Sequence, residues 1–143
     1  VFLGASGAIT ALGDTLFPAE SLLHGLQQDA DPSAHFLLRL RVYHPLIAAL
    51  TGIYLYAFVG YLRRKYAEEA VQQYTLWLLV LFGAQILLGF VNLILLAPVW
   101  MQLIHLLVAD LVWIRFVLLA DLFLSGRLTA QDLAHAPVQE AVQ

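Results

Sequence analysis

No charged residue occurs over residues 71–109, and this constrains the fold more than any other feature of the chain. Drawn out as one helix, such a run would reach roughly 58 Å at about 1.5 Å per residue. That is nearly twice the ~30 Å of hydrocarbon in a bilayer, so the run must turn back on itself. Pro98, in "LLAPVWMQ", is where a helix is least able to continue. A tight turn there joins two antiparallel spans, at about residues 74–97 and 99–124. Two apolar segments precede them, at residues 1–17 and, after "DADPSAHF" with Ser33 as expected N-cap, at a stretch free of charge over residues 42–62.

Composition agrees: 62% of residues are hydrophobic, 12% are charged, and mean hydropathy is +0.81. A soluble domain of this length could not bury so much apolar surface. The expected class is all-α, a transmembrane four-helix bundle over residues 1–126 followed by a polar cytoplasmic tail over 127–143. The opening "VFLGASGAITALG" lacks both a methionine and a basic region. It is expected to be the remainder of a span cut from a longer chain rather than a signal peptide. The net charge is −3 with no basic patch, which argues against nucleic acid as a partner. With no cysteine, disulfides and thiolate chemistry are excluded.

The loops set an orientation. Arg63, Arg64, Lys65 and Arg127 fall on one side of the membrane and Arg39 and Arg41 on the other. The excess places the Arg63 loop and the C-terminus in the cytoplasm. "AESLLHGLQQ", in the outer loop, has the pattern of a short interfacial helix.

The second and fourth segments then run in the same direction, each with one histidine. His44 lies 19 residues before Arg63, and His105 lies 22 before Arg127. Their depths agree within roughly 5 Å. Two imidazoles at one depth on parallel helices of a bundle form the geometry for holding a heme iron from both faces. Below His44, one and two turns along the same face, stand Ala48 and Gly52, a small-residue strip against which a flat macrocycle can lie. Ala109 sits one turn below His105. Arg41, three residues before His44, points toward the outer interface, where a guanidinium would pair with propionates. Pro45 removes the amide that would bond the Arg41 carbonyl and so bends the helix at the histidine.

Each of these residues also has a plainer role. Membrane histidines serve as interhelical hydrogen-bond donors, and a cofactor-free packing module would use His44 and His105 in that way. His24 and His35 belong to the outer loop and His135 to the tail. Arg39 points about 140° away from the His44 face and is read as a snorkelling anchor. Gln85, Gly89 and Asn92 form a small polar stripe on the third segment, and Gly4, Gly7 and Ala11 one on the first, both read as packing surfaces. Asp110 and Arg115 are costly in lipid and are expected to face the bundle or another segment. Asp14 is expected to cap or bond locally.

"GASGAITALGDTLFP", "AHFLLRLRVYHPLIAALTG" and "AQILLGFVNLILLAPVWMQLIHLLVADLVWI" together resemble the C-terminal half of bacterial heme A synthases, the family of the cytochrome oxidase assembly protein that makes heme A. The resemblance covers nearly the whole chain. It implies eight spans in two similar bundles, within the bacterial inner membrane and with a cytoplasmic C-terminus. The N-terminal half would oxidise a methyl group of heme O to the formyl of heme A. The C-terminal half would hold heme b between His44 and His105. Partners implied are the N-terminal half, the bilayer, heme O synthase and oxidase assembly factors. The family's catalytic half carries a glutamate three residues before its histidine and usually an arginine after it. Here those places are Arg41 and Pro45, so this half is expected to lack the catalytic residues. The alternative is a bis-histidine membrane cytochrome b acting only as an electron carrier.

Overall fold

A computed structural model describes residues 2–125. Residues 126–143, with Arg127, His135 and the expected tail, lie outside the described residues. All regular structure among the described residues is helical: α1 (Phe2–Leu16), α2 (Leu22–Ala30), α3 (Phe36–Arg41), α4 (Tyr43–Lys65), α5 (Glu69–Ile94) and α6 (Val99–Leu124). Three helical stretches are long and apolar enough to cross a membrane: Phe36–Lys65, Glu69–Ile94 and Val99–Leu124. The first is α3 and α4 taken together, so the described residues form five rods. Of the four spans expected, α1 is the exception, since its 15 residues reach only about 22 Å at a helical rise.

The break between α3 and α4 falls at Val42, whose backbone stays in the right-handed helical region. Pro45 has no N–H to offer the Arg41 carbonyl, and the ladder is interrupted there. α3 is capped by His35, whose Nδ1 accepts from the Leu37 amide at 3.3 Å. Ser33 is not the cap. Its amide and hydroxyl both donate to the Asp31 carboxylate, at 2.8 and 2.7 Å. That turn holds the Asp31 carboxyl below the usual carboxylate range. α2, the helix expected in "AESLLHGLQQ", starts at Ser21, whose hydroxyl accepts from the His24 amide.

α5 begins earlier than the apolar pattern indicated. The Gln72 side chain anchors the corner by donating to the carbonyls of Arg63 (3.1 Å) and Tyr66 (2.8 Å), which stand at the end of α4. Arg63 answers by donating to the Gln72 carbonyl at 3.0 Å. The turn at the other end of α5 is sharper. Leu96 and Ala97 take φ of 61° and 53°, the left-handed conformation that closes a helix and disfavours side chains with a Cβ. The Ala97 amide bonds back to the Asn92 carbonyl at 2.8 Å. Gln102, from the first turn of α6, donates to the Ala97 carbonyl at 2.6 Å. α5 and α6 then pack antiparallel along their length, as the Pro98 turn requires.

α4 packs on α5, α5 on α6, and α1 against both α4 and α6. The apolar core sits toward the Arg63 end, where Leu55, Val59 and Leu62 of α4 meet Leu78 and Phe82 of α5 and Leu119 of α6. At the opposite end the facing positions are histidine, glutamine, asparagine, serine and glycine.

Candidate functional site: two histidines across the bundle

The packing order makes α4 and α6 diagonal partners. α1 and α5 each lie against both, while the backbones of α4 and α6 do not approach each other closely among the described residues. His44 and His105 stand on these diagonal helices, both half-buried. Side chains on facing helices of a bundle are the usual source of internal cofactor sites.

Each imidazole lies against a glycine of a neighbouring helix. A Cβ on Gly7 of α1 would sit 3.1 Å from His44 Cε1, and one on Gly89 of α5 would sit 3.3 Å from His105 Cε1. Any larger side chain at either place would push the ring away. Beside each glycine is a polar side chain on the same ring. Ser6 Oγ lies 3.0 Å from His44 Nδ1, and the Gln85 amide lies 2.9 Å from His105 Nε2. Each histidine is thus met by a polar side chain and a glycine of a neighbouring helix, at Nδ1 in His44 and at Nε2 in His105.

This end of the bundle also contains buried polar atoms with no hydrogen-bond partner: His105 Nδ1, Gln85 Oε1 and Asn92 Oδ1. A buried amide oxygen or imidazole nitrogen left unsatisfied costs about 1–3 kcal/mol, and such groups mark a place built to meet something polar. The period of Gln85, Gly89 and Asn92 along α5 was visible in the sequence, but the pairing of Gln85 and Gly89 with His105 was not. The same holds for Ser6 and Gly7 with His44. No group of three or more His, Cys, Asp or Glu able to hold a bare metal ion occurs among the described residues.

The other residues read as site candidates are distributed differently. Ala48 and Ala109 are partly covered, each one turn from its histidine. Gly52 faces the ring of Phe82, which would lie 3.0 Å from a Cβ placed there, so its surface is a helix contact between α4 and α5. Arg41 is buried and turned into a polar knot. It donates to the carboxylates of Asp29 and, at 3.1 Å, Asp14. It also donates to the Gly25 carbonyl at 3.0 Å and to Gln28 Oε1 at 3.2 Å. Four of its five N–H donors tie α1 and α2 to the start of the long helix. Asp14, expected to bond locally, is therefore an interhelical partner.

Outside this end, Arg115 lies 4.7 Å over the Tyr74 ring, turned toward α5 as anticipated. Asp110, expected to face the bundle or another segment, is on the exposed side of α6 among the described residues. Arg39 is exposed as well. His24 accepts from the Glu20 amide at 3.2 Å, and His35 caps α3 while its ring meets Phe17 and Phe36.

A family model described as cytochrome oxidase assembly protein matches residues 2–117, a range that takes in both histidines. Two curated proteins, from two strains of Thermus thermophilus and each named protoheme IX farnesyltransferase, are 50% identical to the chain over 121 residues. The matched stretch is 84% of this chain and 20% of each relative, so the chain spans about a fifth of the length of the curated relatives it matches. No solved structure matches.

Proposed function

The chain belongs to the cytochrome oxidase assembly protein family, that of the heme A synthases, and from that premise we propose that it is the heme b-binding half of such an enzyme. In this reading α1, α4, α5 and α6 form a transmembrane four-helix bundle, one of two in the full protein. His44 and His105 are the axial ligands of one iron. The full protein is an oxidoreductase of the bacterial inner membrane that converts the methyl group of heme O to the formyl of heme A, with the C-terminus cytoplasmic.

One observation carries the proposal. Two half-buried imidazoles on diagonal helices are each oriented by a polar side chain and a glycine of a neighbouring helix. A structural histidine in a membrane bundle satisfies its nitrogens with neighbours. His105 instead keeps a buried Nδ1 without a partner, beside unpartnered oxygens of Gln85 and Asn92. The residues present suit a bis-histidine heme once the Gln85 amide, 2.9 Å from His105 Nε2, turns aside to free that nitrogen. When bound, that heme supplies a reversible one-electron iron couple.

The chain's own residues do the holding. Gly7 and Gly89 let α1 and α5 approach close enough to fix the ring planes, and Ser6 and Gln85 fix the rotation of each ring. Arg41 closes the histidine end by drawing α1 and α2 onto the start of the long helix. With four of its donors engaged by Asp14, Asp29, Gly25 and Gln28, its part is to hold that end together, leaving one N–H for a propionate. Ala48 and Ala109 offer low surfaces beside the rings, whereas Gly52 is engaged by Phe82. Oxidation of heme O would be performed by the other half, because Arg41 and Pro45 stand where the resemblance implies a glutamate and an arginine.

The relatives' name, which describes farnesyl transfer to protoheme, fits a place close to heme O, the farnesylated heme, with heme O synthase as a partner. Transfer from a diphosphate wants clustered carboxylates for Mg²⁺. The described residues offer no such group, so that chemistry is assigned to parts of the relatives beyond the matched fifth.

The test is spectroscopic. In the full-length protein, His44→Ala and His105→Ala should each abolish one low-spin heme signal, and spectra unchanged in both variants would overturn the ligand assignment. The second reading, an electron-carrying cytochrome b, is favoured by the missing glutamate and keeps the same ligands. Heme A formation by the purified full-length protein, supplied with heme O and an oxidant (dioxygen or an electron acceptor) for the four-electron conversion of methyl to formyl, separates the two.

A further inference from the structure

We propose that Ser6 is a positioning residue for His44, holding the imidazole in the one tautomer that leaves Nε2 as the free electron-pair donor. This rests on the heme-ligand reading and adds to it the group that prepares the ligand.

The assignment follows from counting protons. A serine hydroxyl has one hydrogen to donate and two lone pairs. Ser6 Oγ donates to the carbonyl of Leu3, 2.9 Å away on its own helix. Toward His44 Nδ1, at 3.0 Å, it can then act only as an acceptor. Nδ1 must carry the ring's single hydrogen, and the lone pair of a neutral imidazole falls on Nε2. The reverse arrangement, with the hydroxyl donating to Nδ1, would put the proton on the nitrogen a ligand needs.

The contact exists because of the residue beside it. Gly7 brings α1 so close to the ring that a Cβ would meet His44 Cε1 at 3.1 Å, which lets a side chain as short as serine reach Nδ1. His105 is treated differently. Its neighbour is the Gln85 amide, which touches Nε2 and leaves Nδ1 buried without a partner. An amide offers both a donor and an acceptor and can turn to suit either tautomer. The serine selects a tautomer and the glutamine does not, so loss of Ser6 should be felt at His44 alone.

An acceptor on the distal N–H of a ligating histidine fixes the ring and raises its basicity, and its removal typically weakens metal binding 10–100-fold. A stronger donor also favours ferric over ferrous iron.

The experiment uses the full-length protein purified with its heme, as wild type, Ser6→Ala, Ser6→Thr and His44→Ala. For Ser6→Ala, the expected result is a low-spin spectrum still of bis-histidine type. Heme should pass to apomyoglobin roughly tenfold faster, at the lower end of that range, and the midpoint potential should shift upward. Ser6→Thr, which keeps the acceptor, should restore both. If His44→Ala removes the signal while Ser6→Ala matches wild type in release rate and potential, the tautomer assignment is wrong and the ligand assignment stands. If His44→Ala leaves the signal intact, both fall. Should Ser6→Ala not accumulate, the isosteric pair Ser6→Thr and Ser6→Val decides. A difference between them supports the role, and equal heme retention refutes it.

Discussion

Replacing Arg41 by methionine tests the polar knot at the histidine end. The guanidinium is buried, with a relative exposure of 9%, and its carboxylate partners Asp14 and Asp29 are exposed by 19% and 23%. Two of its four hydrogen bonds go to carboxylates and two to neutral oxygens. The charged guanidinium donates in all four, so at about 1.5–3 kcal/mol each simple addition reaches roughly 6–12 kcal/mol. Addition overstates the loss, because the bonds share one side chain and water can reach both carboxylates. Removing one member of a buried ion pair costs about 3–5 kcal/mol, and that is the expected range.

Much of the loss arises from charges left behind, so removing them should recover part of it. Arg41→Met combined with Asp14→Asn and Asp29→Asn is expected to be less destabilised than Arg41→Met alone. The assay is denaturant unfolding in detergent, paired with limited proteolysis across residues 18–35. α2 is tied down chiefly through Arg41, and its release should appear as faster cleavage there before global unfolding. A loss below about 1 kcal/mol for Arg41→Met, or a triple variant worse than the single one, would refute an account that rests on uncompensated buried charge.

Ala97→Gly should raise stability by about 0.5–1 kcal/mol, since φ of 53° strains any residue with a Cβ and suits glycine; a shift of the unfolding midpoint in the other direction would contradict this. Gly52→Ala should cost about 1–3 kcal/mol through overpacking against Phe82. A second change, Phe82→Leu, should recover part of the loss, and strictly additive effects in that double-mutant cycle would show that the two positions do not touch.

Long-range polarity was legible in the sequence because lipid imposes it. Over residues 71–109 no charge interrupts the chain, so a hairpin at Pro98 was the only way to fit the bilayer, and α5 and α6 form it. The two histidines were legible as well, since each is a polar ring within a long apolar run. Helix ends were less so. Ser33 looks like a cap, yet its short side chain bonds the nearer Asp31, and His35 takes the cap's place. Rotation about each helix axis was beyond the pattern altogether. α4, α5 and α6 are apolar on every side, so periodicity does not say which face turns inward.

That choice belongs to the packed chain. Only contacts between helices distant in sequence seat Phe82 on Gly52, leave Asp110 exposed, and turn Arg41 toward Asp14 and Asp29. Only they bring Ser6 to His44 and Gln85 to His105. Composition and spacing alone determined a membrane-spanning helical chain and singled out its two in-span histidines. The tertiary structure decided which groups hold those rings, because hydrogen bonds and close glycine contacts depend on ångström-scale approach between helices that no single segment's sequence records.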